Sequence, residues 1–254
     1  MNRSFPPTHR FLLVAAVTLL LAGCGPRVYE WGWYILNPFS PQGGVNAMFL
    51  IGGVGATVGV SVAAFVISVL IGGTIAVFGM SRSRILRGIN RGYVEGVRAV
   101  PLLVMILWVY YGLPVILGIK LGILAAGIVS LALSDSAFEA EVFRAGIQSV
   151  PKGQTEAAAS LGLRPMHILR YVILPQAIRK VLPALGNQFI YVLKMSSLLS
   201  VIGYPELTRR ANELTVTEYR PLEIYTFLVV EYLILVLAAS ALVRWMERRL
   251  GAAS

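Results

Sequence analysis

The sequence is poor in charged residues, in histidine and in cysteine. Asp, Glu, Lys and Arg make up only 13% of the 254 residues, and none of them occurs between Trp31 and Ser81. Cys24 is the one cysteine, which excludes an intrachain disulfide framework. The sequence has no Gly-x-x-x-x-Gly-Lys-Ser/Thr phosphate loop, so any nucleotide hydrolysis must take place on another chain. No pattern of residues in the sequence indicates a catalytic site or a metal site.

Apolar residues dominate what is present. They form 57% of the chain, and the mean hydropathy of +0.74 is typical of a membrane protein. The net charge of +10 could suggest nucleic acid, but the basic residues fall in loops between apolar segments. We therefore interpret them as topology signals and predict no nucleic-acid binding.

Residues 1–24 are typical of an export signal or signal anchor. Arg3 and Arg10 flank the start, and Phe11–Leu21 forms an apolar core that is short for a transmembrane helix. The ending Leu-Ala-Gly-Cys resembles a bacterial lipoprotein cleavage box, which makes Cys24 a candidate for lipidation. An uncleaved anchor helix with an incidental cysteine fits these residues equally well.

Five further apolar segments predict an all-α, polytopic membrane helical bundle. These core transmembrane helices lie at about 47–79, 99–118, 121–140, 183–203 and 223–243, within a domain covering 46–250. The first is rich in Gly, Ala and Ser, which permit close helix packing in lipid. Segment 25–45 carries Trp and Tyr, which favour the membrane interface, and is predicted to be periplasmic.

The distribution of Lys and Arg predicts the orientation. Sixteen of the 22 basic residues lie on one side if the two arginines of the signal and segments 82–98, 144–180 and 244–254 are cytoplasmic; five lie on the other side, and Lys194 lies within a span. The positive-inside rule therefore predicts a multi-pass protein with a cytoplasmic C-terminus.

The stretch from Glu156 to Pro175 is the longest polar interruption between apolar segments. Thr155 is a candidate N-cap, with Glu156 in the first turn of a short helix. Gly162 can adopt the positive φ that ends a helix, and Pro165 suits the first position of a second one. Pro175 should break that second helix. We therefore predict two short helices joined at an angle outside the bilayer.

These residues carry a family resemblance. Glu156-Ala157-Ala158, then Gly162, Val172 and Leu174-Pro175 resemble the cytoplasmic loop of ABC importer permeases, with Val172 where Ile is usual. Three more stretches resemble the polar amino acid branch of that family: Tyr93–Val104, Ala140–Gln154 and Leu185–Gly203. The resemblance covers roughly residues 45–250.

The resemblance implies an inner-membrane permease subunit that is not itself an enzyme and holds no cofactor. A second permease, identical or paralogous, would complete the pathway, and a periplasmic solute-binding protein would deliver substrate. A cytoplasmic ATPase subunit would use ATP and Mg. Within loop 144–180, Glu156 would contact the ATPase, Ala157 and Ala158 would permit close approach, and Gly162 and Pro175 would shape the loop. A plain helix-turn-helix connector is the alternative.

The resemblance also implies an amino acid substrate. In this branch two positions of the fourth segment are often acidic, and here they are Gln188 and Met195. A neutral, acidic or modified amino acid is therefore expected rather than a cationic one. The candidate pathway residues in this segment are Asn187, Gln188, Ser196 and Ser197. Interhelical hydrogen bonding is the alternative role for each of them.

Two charges inside predicted spans complete the candidate pathway. Lys194 and Glu231 each lie roughly 12–13 Å from the outer end of their segment at 1.5 Å per residue. Opposite charges within a membrane usually pair or face a polar cavity, so we expect these residues to lie together. A purely structural pair, or Lys194 reaching the interface, is the alternative.

Two other protein classes compete with the permease. A self-contained channel or secondary transporter for a small polar solute would not need the Glu156–Pro175 stretch, and many such folds have inverted repeats, which we do not see. A lipid-anchored assembly protein would not need five further spans.

Overall fold

A computed structural model describes residues 29–249, and all regular structure in that range is helical. The predicted signal, with Cys24, lies outside the described residues. The chain divides into two compact units, residues 1–33 and 34–254. In the described part of the first unit, the ring of Trp31 contacts that of Tyr29 edge-on and stacks on Trp33, each at a centroid distance of 5.4 Å.

Eleven α-helices follow in chain order within the described range. They are α1 (Pro41–Ile51), α2 (Gly53–Met80), α3 (Arg84–Ala99), α4 (Leu102–Leu107), α5 (Leu113–Leu117), α6 (Ile123–Gln148), α7 (Lys152–Ser160), α8 (Pro165–His167), α9 (Leu174–Met195), α10 (Leu207–Glu218) and α11 (Pro221–Arg249). Two π-helical turns, Trp108–Gly112 and Ile168–Ile173, and the 3-10 helix Ser196–Ile202 lie between α-helices, and a second 3-10 helix, Trp33–Leu36, precedes α1.

Four helical segments are long and apolar enough to cross a membrane: Pro41–Met80, Ile123–Gln148, Pro165–Ile202 and Pro221–Arg249. They correspond to the predicted first, third, fourth and fifth spans; most of their ends extend beyond the predicted ranges, but the third begins two residues later and the fourth ends one residue earlier than predicted. The predicted second span, 99–118, contains the helical segment Leu102–Leu117, which α3 meets at a bend of 99°; α3 and this segment together form a candidate fifth, bent span. Pro101 causes this bend: it cannot donate a backbone hydrogen bond, and it holds Val100 extended, with φ −91° and ψ 122°.

Two predicted loops contain amphipathic helices. Segment 82–98 is largely α3, whose Val94 is buried and whose Asn90 amide donates to the carbonyl of Ile75 at 2.8 Å. Segment 204–222 contains α10, which buries Leu207 and Leu214 on one face. Sequence reasoning missed both because it treated the charged faces as loops and overlooked the helical spacing of the apolar residues.

Small residues bring the spanning helices close together, as the sequence predicted for the first span. A Cβ added to Gly72 of α2 would lie 2.5 Å from the Cβ of Glu139 on α6. A Cβ on Gly186 of α9 would lie 2.3 Å from the Cγ1 of Val243 on α11. These contacts allow the backbones to approach more closely than any larger residue permits.

The helix ends alternate between two sides of the bundle. A Cβ on Gly146, near the end of α6, would lie 2.0 Å from Val181 in the first half of α9. At the opposite side, the hydroxyl of Tyr204 donates to the carbonyl of Ala56 at 3.3 Å. The arginine-rich α3, helix α7 and the C-terminal end of α11 therefore share one side, which we call the basic end.

A buried carboxylate organises the opposite end. Glu206 accepts hydrogen bonds from the backbone N–H of Thr208 (2.9 Å) and Arg209 (2.7 Å), which caps α10, and from the hydroxyl of Tyr232 (2.9 Å) on α11. Burial raises the pKa of Glu206, while these hydrogen bonds oppose the increase. Glu206 thus fixes α10 against the membrane helices.

Candidate functional site

The Glu156–Pro175 segment begins within α7, and the predicted start of this helix is wrong. The helix starts at Lys152, where the backbone N–H of Gln154 donates to the carbonyl of Pro151 at 3.0 Å. Thr155 is therefore not an N-cap, and Glu156 lies past the first turn. Pro151 marks the true start, because proline cannot continue a preceding helix but readily precedes a new one.

The turn after α7 matches its prediction. Gly162 has φ +76°. Its N–H donates to the carbonyl of Ala159 (2.9 Å), and that of Leu163 donates to Ala158 (3.2 Å). This pair of bonds is the Schellman motif, which requires the left-handed residue. Arg164 is extended, and Pro165 opens the next helix as predicted.

The predicted helix break at Pro175 is wrong. The helix continues from Pro165 to Ile202, and Pro175 is the second residue after the π-helical turn Ile168–Ile173. A π-helical turn changes the backbone path before the proline, so the helix can accommodate the missing donor and the ring. Pro175 therefore shapes a continuous helix.

The segment presents exposed apolar side chains at the basic end. Leu161 is 82% exposed, Met166 69% and Tyr171 65%. Ala158 and Ile168 are buried and face the rest of the protein, whereas Glu156 and Ala157 are exposed. Exposed apolar groups with charged neighbours are typical of a protein-binding surface.

The predicted pathway residues of α9 lie in different environments. Asn187 and Lys194 are exposed, and Gln188 is half-buried. The hydroxyls of Ser196 and Ser197 donate to the carbonyls of Leu193 and Lys194, each at 2.8 Å, within their own helical segment. Lys194 and Ser197 also line a groove against Val229, Tyr232, Leu233 and Val236 of α11.

The predicted pairing of Lys194 with Glu231 is wrong. Their charged groups do not come within the 4 Å of an ion pair, and both carboxyl oxygens of Glu231 are buried without a hydrogen-bond partner among residues 29–249. Glu231 shares a helix face with Ile224 and Leu228, whereas the Lys194 groove uses a face roughly 100–200° away at 3.6 residues per turn. Lys194 and Glu231 therefore lie at similar predicted depths, but Glu231 is on a different face of α11 from the one that lines the Lys194 groove.

The sequence did not predict a buried polar cluster around α6, which we call the α6 cluster. It consists of Ser68, Asp135, Glu139 and Gln188. Asp135 is 3% exposed and accepts hydrogen bonds from the Ser68 hydroxyl of α2 (2.5 Å) and the Gln188 amide of α9 (2.6 Å). Glu139, one turn further along, is fully buried. Of the predicted pathway residues, Gln188 hydrogen-bonds to this cluster. Acidic residues inside an apolar segment were the available signal.

Comparison with known proteins identifies the family. Residues 68–252 match the model of the binding-protein-dependent transport system inner membrane component. The chain belongs to this family. It is therefore a multi-pass membrane permease of the ABC transporter class, and the match includes the Glu156–Pro175 segment and the α6 cluster.

Relatives of this permease are amino acid transporters. It is 40% identical over 190 residues to the probable glutamine ABC transporter permease protein GlnM of Bacillus subtilis, covering 75% of this chain and 88% of that one. It is 38% identical over 159 residues to the glutamine transport system permease protein GlnP of Escherichia coli (strain K12), covering 62% and 73%.

Solved structures agree with the fold. An amino acid ABC transporter crystallised with histidines has 38% identity and a TM-score of 0.79, covering 87% of this permease and all of that chain. The MetNI methionine ABC transporter in an inward-facing conformation has 23% identity and a TM-score of 0.69, covering 80% and 96%. The second likeness extends to the fold alone.

Proposed function

We propose that this permease imports glutamine or a similar neutral amino acid, driven by ATP hydrolysis on a partner subunit. The exposed Glu156–Pro175 segment carries the proposal, since it offers a protein-binding surface at the basic end. Two relatives are glutamine permeases. The absence of an acidic side chain in α9 also favours a neutral substrate over a cationic one.

The residues of the Glu156–Pro175 segment would have different roles in coupling the ATPase to the permease. Glu156 and Ala157 are exposed and would meet the ATPase, together with Leu161 and Met166. Ala158 is buried, so its role is to hold α7 against the permease. The left-handed Gly162 sets the angle between α7 and the next helix. Motion of the ATPase would then be transmitted through the continuous helix that begins at Pro165.

The basic end would face the cytoplasm by the positive-inside rule, which places the C-terminus there too. The ATPase, with its ATP and Mg, would bind at that end. A periplasmic solute-binding protein would dock on the opposite end, near α10. A second permease copy or paralogue would complete the pathway between them.

Reconstitution tests the proposal against the self-contained transporter. The permease, its ATPase subunit and its solute-binding protein are placed in liposomes, and uptake of labelled glutamine is measured. Uptake should require ATP and should resist competition by arginine. Uptake that continues without ATP, driven by an ion gradient, would contradict the proposal.

A further inference from the structure

The interior of the helix bundle contains two carboxyl groups one turn apart on α6. Asp135 is 3% exposed and Glu139 is fully buried. Both face α2, where a Cβ on Gly72 would lie 2.5 Å from the Cβ of Glu139 and 2.7 Å from the carbonyl oxygen of Ser136. Packing this tight leaves no space for an organic ligand beside Glu139.

The two carboxyl groups differ in their hydrogen bonds. Both oxygens of Asp135 accept a hydrogen bond, from Ser68 at 2.5 Å and from Gln188 at 2.6 Å. Both oxygens of Glu139 lack any partner in the described part of the chain. Donors stabilise an ionised carboxylate, whereas an ionised group without donors is very costly in an apolar interior. The donors therefore favour ionisation at Asp135, whereas no described donor would stabilise an ionised Glu139.

No cation compensates Glu139 from the neighbouring helices that the structure describes. Helix α2 contains no ionisable residue. From α3, the Arg98 guanidinium stacks on Phe138 at 5.0 Å, and the Tyr93 hydroxyl hydrogen-bonds to Ser136 at 2.6 Å. From α9, the Tyr191 ring lies 6.5 Å from that of Phe138. The charge of an ionised Glu139 would remain unpaired.

We propose that Glu139 is a proton-binding site that controls the separation of α2 from α6. Its carboxyl group is protonated in the described conformation. When the helices separate and water reaches the group, it releases the proton to water and becomes a carboxylate. The second step rests on the proposed transport function, in which the membrane helices rearrange between two conformations. Release of one proton makes the opening equilibrium constant rise about tenfold per pH unit.

Infrared spectroscopy tests protonation directly, without transport. The purified full-length permease in lipid nanodiscs at neutral pH should show the C=O stretching band of a protonated carboxyl group. Glu139→Gln should lose intensity in this band. Glu141→Gln is the matched control, because Glu141 lies on the same helix but pairs with Arg144 at 2.7 Å. Glu231→Gln identifies the contribution of Glu231, whose carboxyl group also lacks a hydrogen-bond partner among the described residues.

A spectrum of Glu139→Gln that equals the wild type, or a wild type without the band, overturns the proposal. If Glu139→Gln does not fold, Glu139→Met replaces it, since a neutral carboxyl group can be exchanged for an apolar side chain of similar size. If neither variant folds, the wild-type spectrum decides, and absence of the band from it also overturns the proposal.

A transport arm tests the release step. Wild-type uptake should increase as the pH rises from about 6 to about 8, and the Glu139 variant should lose this dependence while Glu141→Gln keeps it. Replacing sodium by choline at constant pH should change nothing; a requirement for sodium would assign the site to a metal ion instead. A confirmed band with no ATP-driven uptake in any variant would reject the transport function and leave the proton site standing.

Discussion

The Glu156–Pro175 segment and the α6 cluster are opposite in character. The segment is exposed, local in sequence and joined by its own backbone hydrogen bonds, such as Leu163 N–H to the Ala158 carbonyl. The cluster is buried and joins residues far apart in sequence, such as Ser68, Asp135 and Gln188. In our proposal the segment contacts the ATPase, whereas the cluster and its neighbouring glycines lie where the membrane helices pack together. Changes in the first should therefore affect coupling, and changes in the second should affect assembly.

The largest effect is expected for Gly162→Val. A β-branched residue at φ +76° costs about 1–3 kcal/mol of backbone strain, which the exposed turn can relieve only by changing its angle. ATP-driven uptake should fall at least tenfold while the protein level in the membrane stays normal. The control Gly153→Ala lies in α7, where a new Cβ meets no atom within 4 Å, and should transport normally. Normal uptake by Gly162→Val would show that the turn geometry does not matter.

Gly186→Val should disturb the packing of the membrane helices. Its new side chain would collide with Val243 of α11, since the Cβ alone would lie 2.3 Å from that residue. Overpacking of this kind costs about 1–3 kcal/mol, so the melting temperature and protein level should fall. Combining it with Val243→Ala should recover part of the loss. A double variant no better than the single one would mean that these helices do not meet at this contact.

A smaller effect is expected for Glu156→Lys. Charge reversal at the exposed segment should weaken binding of the ATPase about tenfold, or roughly 1.4 kcal/mol, and leave the melting temperature unchanged. Copurification at two salt concentrations measures this. Glu213→Lys, an exposed charge on α10 at the opposite end, serves as the control and should bind the ATPase normally. Equal binding of the ATPase by both variants would show that Glu156 does not lie in the interface.

The smallest effect is expected for Lys194→Met. Because Lys194 is exposed and forms no ion pair with Glu231, its loss should change the protein level little. Glu231→Leu should be neutral or stabilising, since it removes a buried carboxyl group that has no hydrogen-bond partner in the part of the chain that the structure describes. The stability changes of the two variants should add in the double variant. A clear departure from additivity would restore the pairing that the structure contradicts.

The sequence predicted those features that depend on local chemistry. Apolar length located four spans, and the conformational freedom of glycine located the turn at Gly162. Local reasoning could not determine which helix faces meet. The pairing of Lys194 with Glu231 failed because depth was known but rotation about the helix axis was not. Asp135 and Glu139 were visible in the sequence, but their environments follow from the packing of α2 and α9. The bend at Pro101 and the continuous helix at Pro175 show that one residue type has different effects in different backbone contexts.

Site-directed cross-linking to the ATPase tests the central claim most directly. In a Cys24→Ala background, Leu161→Cys places a thiol on the exposed segment, and Val216→Cys places one on α10 at the opposite end, where Val216 is 68% exposed. A short bifunctional reagent should join the permease to its ATPase subunit through position 161 and not through position 216. Cross-linking through position 216, with none through position 161, would contradict the assignment of the Glu156–Pro175 segment as the coupling surface.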